Sequence, residues 1–253
     1  MPRAHRHHLP HYVWHITHRC HRQQFLLKFA RDRQAWIRWL HAARSRYDLC
    51  VLNYAVTANH IHLLVRDQGR GEIARSLQLI AGRTAQAYNA RKHRHGAFWE
   101  DRYHATAVET GEHLARCIVY IDLNMVRAGV VQHPAQWPAG GYREIQQAPA
   151  RYRIVDRAAL AAVVGLEGPT RLAAAHAEWI DAALRAGAQR RVPQWSESVA
   201  VGGREFVERI RTELGVRARQ RQVQSWGACS VLRDPSLPYG YDLAPEMVPL
   251  SAK

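Results

Sequence analysis

The chain has 253 residues, 47% of them hydrophobic, which suffices for one large domain or two small ones with a real core. No run approaches the about 18 consecutive apolar residues that span a membrane, and four scattered cysteines without a Cys-x-x-Cys pair exclude a disulfide framework or a thiolate zinc finger. Thirty-six basic residues against 21 acidic ones give a formal net charge of +15, the balance of a protein that meets a polyanion such as nucleic acid.

Of the basic residues only Lys28, Lys92 and Lys253 are lysines. The rest are arginine, whose planar fork matches phosphate and guanine edges. The opening "MPRAHRHHLPHYVW" carries no apolar core of signal-peptide type, and a soluble cytoplasmic protein is expected. Its histidines and arginines read as a cationic arm, whose arginines, with the Arg19-His21-Arg22 cluster beyond it, would track a DNA backbone.

Along the chain, "YVWHITHRC" alternates as a strand and "DRQAWIRWLHAARSRY" has helical spacing. "LCVLNYAVTA" and "HIHLLV" read as two strands of an antiparallel hairpin, followed by a helix from about Gly71 to Lys92. "FWEDRYHATAVE" gives a fourth strand, and Glu112 to Arg127 a third helix stopped by Gly129. The order β-α-β-β-α-β-α is the α+β, ferredoxin-like split β-α-β arrangement, a four-stranded antiparallel sheet with helices on one face. "HPAQWPAGGY" reads as the exit from this domain. The expected division is a catalytic domain over 1–148 and a mostly helical extension over 149–253. Helices are expected at 157–164, 170–186 and 203–214, with an irregular Pro-rich tail.

The informative stretch is "TANHIHLLV". In a strand His60 and His62 emerge on one face and Ile61 and Leu63 on the other. Two imidazoles on one face of a buried strand are costly unless each nitrogen finds a partner. Either neighbours satisfy them or they hold a metal. At about 100° per residue the third helix turns Tyr120 and Asn124 in one direction, a quarter turn from its apolar stripe. Arg116 and Arg127 fall on the same flank. Two neutral imidazoles and one amide oxygen would hold Mg²⁺ or Mn²⁺ without cancelling its charge, leaving it attractive to a phosphodiester. Zinc is the alternative ion. Tyr120 would then be the nucleophile.

"NHIHLLV" followed by "YIDLNMVRAGVV" resembles the HUH single-tyrosine transposases, most closely the REP-associated tyrosine transposases of bacteria. "WHITHRCHRQ" and "GAFWEDRY" fit as well, and the resemblance covers roughly residues 10–145. It implies a ferredoxin-like palm with His60 and His62 as the metal pair, Asn124 as the third ligand and Tyr120 as the nucleophile. It further implies cutting of single-stranded DNA near a hairpin through a 5′-phosphotyrosyl link, by a nucleoid-associated monomer or homodimer. Two positions depart from the family pattern: Thr57-Ala58 stands for the usual Met-Pro, and Met125 for a proline. Trp99, Arg102 and Tyr103 suit unpaired bases and phosphate, although Trp99 also suits simple core packing. The rival expectation is a hairpin-DNA-binding or regulatory protein that keeps the fold without cutting.

Overall fold

The computed structural model describes residues 9–187 and 192–233. The expected arm before Leu9 and the Pro-rich tail after Arg233 lie outside the described residues. The elements are β1 (Val13–Arg19), α1 (Ala30–Tyr47), β2 (Cys50–Val56), β3 (His60–Arg66), α2 (Glu72–Lys92), β4 (His104–Val108) and α3 (Glu112–Asp122). After these come α4 (Asn124–Arg127), α5 (Tyr142–Gln146), α6 (Arg157–Val164), α7 (Gly168–Arg185), α8 (Gln194–Glu197), β5 (Ala200–Gly202), α9 (Arg204–Leu214), β6 (Gln222–Trp226) and β7 (Cys229–Arg233).

One seven-stranded sheet runs β2-β3-β1-β4-β5-β7-β6. Its first four strands are the expected antiparallel palm, with β1 paired to both β3 and β4. The expectation of four strands falls short by three. Short β5 joins β4 in parallel, and the β6–β7 hairpin continues the sheet, so the extension is not merely helical. The fourth strand is also shorter than read, because Phe98–Tyr103 forms bends and only an isolated Cys20–Trp99 bridge.

Residues of β1 and β3 are almost all buried, as expected of strands covered on both faces. On one face lie His15, Thr17, His60 and His62, held in register by the pairing of Thr17 with His62 and of Arg19 with His60. On the other, His18 stacks on Trp99, whose indole donates to the Ala81 carbonyl of α2 at 3.0 Å. Helices α1 and α2 pack together there, while α3 and α4 serve the histidine face.

The stretch expected as a domain exit seals the edge of β2. Val56 N donates to the Ala139 carbonyl and the Trp137 indole to the Val56 carbonyl. A Cβ on Gly141 would stand 2.3 Å from Asn53 Oδ1, so only glycine lets the chain come this close to β2. Among the described residues no helix is long and apolar enough to cross a membrane.

Candidate active site

Strand alternation puts both imidazoles of β3 on one face, with His60 Nε2 and His62 Nε2 3.1 Å apart. What surrounds the outer nitrogens fixes where the protons sit. His60 Nδ1 lies 2.7 Å from Asn59 Oδ1 and 3.0 Å from Thr57 Oγ1, two oxygens of the turn before β3. The amide oxygen can only accept, so Nδ1 carries the proton and Nε2 a lone pair. His62 Nδ1 lies 2.9 Å from His15 Nε2, and His15 Nδ1 lies 2.7 Å from the Trp195 carbonyl.

Burial lowers the pKa of His62 well below its ordinary value, helped by the neighbouring His60, His15, Arg127 and Arg19. His15 is pushed down to about 4 by burial, against the opposing hydrogen bond to Trp195. Both rings are therefore neutral at pH 7.

Asn124 donates from Nδ2 to His62 Nε2 at 3.0 Å. Half a turn of that amide brings its oxygen to the same place, so three lone pairs can meet at one point. Two bare imidazole nitrogens facing each other repel unless a cation lies between them. Ligands about 2.1 Å from an octahedral ion stand about 3.0 Å apart at right angles, close to the separation seen here. Among the described residues no group of three or more His, Cys, Asp or Glu is placed to hold a metal, and the candidate donors here are two imidazoles and an amide. This neutral set fits a divalent cation whose charge is to stay available.

Tyr120 is buried, with its ring edge-on to His62 at 5.8 Å and to His15 at 6.2 Å between centroids. It sits one turn before Asn124. The backbone departs from helical geometry at Leu123 (φ −77°, ψ 3°), yet Leu123 N still bonds the Val119 carbonyl and Arg127 N the Leu123 carbonyl. The helix direction therefore carries through, and the two side chains stay on one flank. Arg127 donates to the Tyr120 carbonyl at 2.6 Å and lays its guanidinium 4.2 Å from the centre of the Tyr120 ring.

The other residues singled out in the sequence are dispersed. Arg19 shares the histidine face beside His60. Arg22 and Arg102 are exposed. Trp99 lies on the α2 side of the sheet, stacked on His18, and the structure does not bring it to the histidines. Arg116 forms a surface ion pair with Glu112.

The sequence assigns His15 no role beside His62; the register of β1 against β3, which pairs His15 with Leu64 and Thr17 with His62, puts it on that face. Nor does the sequence single out Trp195, which is buried with its ring 6.5 Å from that of Tyr120.

Residues 8–124 match the family described as "Transposase IS200 like". The matched segment spans just under half of the chain. Among solved structures, the chain is similar to a REP-associated tyrosine transposase bound to a REP hairpin, at 16% identity and a TM-score of 0.50, covering 62% of this chain and 94% of that one. It is also similar to a protein of Deinococcus radiodurans R1, at 15% identity and a TM-score of 0.34, covering 46% of this chain and 91% of that one. A search of curated proteins gives no match. The first likeness shows the fold, and the candidate chemistry lies on one face of it.

Proposed function

We propose that this protein is a metal-dependent transposase and endonuclease that cuts and rejoins single-stranded DNA beside a hairpin, through a 5′-phosphotyrosine at Tyr120. The observation that carries the reading is the meeting of His60 Nε2, His62 Nε2 and the Asn124 amide one helical turn from Tyr120. Residues 1–148 are taken as the catalytic domain and 149–253 as its extension.

His60, His62 and Asn124 would hold Mg²⁺ or Mn²⁺, which when bound polarises the scissile phosphate and stabilises the leaving oxygen. The remaining work falls to the chain itself. Arg127, over the Tyr120 ring, lowers the cost of a phenolate whose free phenol has a pKa of about 10. The Tyr120 oxygen forms a bond to phosphorus as the phenol gives up its proton, while the phosphorus–3′-oxygen bond breaks. The 3′ oxygen leaves with its electron pair and takes up a proton, giving a free 3′-OH. Reversal on a second strand rejoins the DNA and restores the phenol. The +15 net charge and exposed Arg22 and Arg102 suit the phosphate backbone of the substrate.

The test is incubation with labelled single-stranded hairpin DNA and Mn²⁺. The expected result is a covalent protein–DNA adduct through the 5′ phosphate. Tight hairpin binding without an adduct at any metal concentration would replace this reading with that of a non-cutting regulatory protein.

A further inference from the structure

The segment after residue 192, outside the stretch that matches the transposase family, is bound into the histidine face by three palm side chains. The Ser198 carbonyl accepts from Thr106 Oγ1 at 2.6 Å and from His104 Nε2 at 3.0 Å. The Trp195 carbonyl, three residues earlier, accepts from His15 Nδ1 at 2.7 Å. Strand β5 then continues the sheet beside β4, so the segment that carries both carbonyls is anchored at its far end as well.

We propose that His15 is a positioning residue for His62, with its proton order set by the Trp195 carbonyl, so that the C-terminal extension makes His62 a competent metal ligand. The inference rests on the metal reading above and adds to it a part of the chain that the family domain lacks. A peptide carbonyl only accepts, so the proton between Trp195 and His15 belongs to His15 Nδ1. His15 is fully buried, where a charged ring is costly, and its Nε2 is left as an acceptor. The hydrogen bond at 2.9 Å then takes its proton from His62 Nδ1. His62 is thereby fixed with a bare Nε2 turned toward His60 and Asn124. The other tautomer would point an N–H at the metal position and prevent ligation. Ligating imidazoles depend on such a partner at the second nitrogen for ring orientation and tautomer. Here the partner is another histidine, anchored in turn to a backbone atom contributed from beyond the family domain.

The experiment reads tautomer and metal binding separately, in the full chain without DNA. Imidazole ¹⁵N shifts of the metal-free protein, with the His62 signals identified by their loss in His62→Asn, are expected to show a protonated Nδ1 and an unprotonated Nε2. Mn²⁺ binding, followed by electron paramagnetic resonance and abolished in His60→Ala, is expected to weaken about ten- to hundredfold in His15→Phe. His15→Gln keeps one donor and one acceptor, and is expected to retain the His62 tautomer and most of the affinity. A wild-type His62 with its proton on Nε2 overturns the inference without recourse to any variant, so a His15→Phe protein that fails to fold does not shelter it. A folded His15→Phe that binds Mn²⁺ like wild type overturns it too. Wild-type protein that binds no Mn²⁺ at all, while His62 shows the expected tautomer, would instead overturn the metal reading and the purpose of the relay with it.

Discussion

His176 Nε2 donates to Asp122 Oδ2 at 2.7 Å, and solvent reaches almost none of either side chain. Asp122 lies two residues from Tyr120 and two from Asn124, so this bond ties α7 of the extension to the turn that carries both. Each end is further secured, by Asn53 Nδ2 on Asp122 Oδ1 and by Gln146 Nε2 on His176 Nδ1. Replacing His176 with Leu leaves the Asp122 carboxylate buried and short of a donor. Removing a donor from a buried charged group in this way costs about 1.5–3 kcal/mol. Urea unfolding of His176→Leu is expected to show a loss in that range, and a loss below about 1 kcal/mol would remove this bond from the supports of the site.

Tyr120→Phe deletes one hydroxyl and keeps a ring already packed among His15, His62 and Arg127. The fold and the affinity for hairpin DNA are expected to persist while the covalent adduct disappears. An adduct of undiminished yield would move the nucleophile to another tyrosine.

Removal of either imidazole takes one lone pair from the meeting point of His60 and His62. His60→Ala and His62→Ala are expected to lose metal-dependent cleavage altogether. Asn124→Ala removes the half-buried amide and leaves both rings, so cleavage should survive at a higher Mn²⁺ requirement. A titration of adduct yield against Mn²⁺ separates the two behaviours, and equal midpoints for wild type and Asn124→Ala would take Asn124 out of the ligand set.

The palm was legible because its chemistry is periodic. The alternation of His60, Ile61, His62 and Leu63 announces a strand with two unlike faces, and the spacing of Tyr120 and Asn124 announces one helix flank. The extension was less legible. Strand β5 is three residues long, and β6 reads "QVQSW", polar and largely exposed, so neither has an apolar period to detect. The contribution of Trp195 to the site is a carbonyl, which every residue has and no residue type signals. Trp99 was ambiguous for another reason: an aromatic side chain beside arginines looks the same whether it stacks on a base or, as here, on His18.

Burial of neutral histidines makes stability depend on pH. Burial pushes the pKa of both His15 and His104 down to about 4, from about 6.5 in an unfolded chain. Between those values the unfolded chain binds more protons than the folded one, so stability rises with pH through the window and is lost as pH falls through it. Each histidine contributes a slope of up to about 1.4 kcal/mol per pH unit there. Urea unfolding from pH 4.5 to 7 should show the rise, and His104→Gln, which can still donate to the Ser198 carbonyl, should flatten it. An unchanged slope in that variant would mean that His104 is not held neutral.

The two arginines of the tyrosine helix separate the electrostatics of binding from those of chemistry. Arg127 is half-buried, bonded to the Tyr120 carbonyl and lying over its ring, while Arg116 is at the surface on Glu112. As cations on the flank of Tyr120 both are expected to meet phosphates, and a lost phosphate contact lowers the dependence of log affinity on log salt by about one. Arg127→Ala should therefore flatten the salt dependence of hairpin binding and also slow adduct formation at saturating DNA, because the phenolate loses the guanidinium over its ring. Arg116→Ala should flatten the salt dependence and leave the saturated rate unchanged. Arg127→Lys restores the charge but not the planar fork over the ring, and should recover binding better than rate. Single-turnover adduct formation, measured beside affinity at several salt concentrations, distinguishes these outcomes. A saturated rate unaffected by Arg127→Ala would confine that residue to binding and leave the activation of Tyr120 to the metal alone.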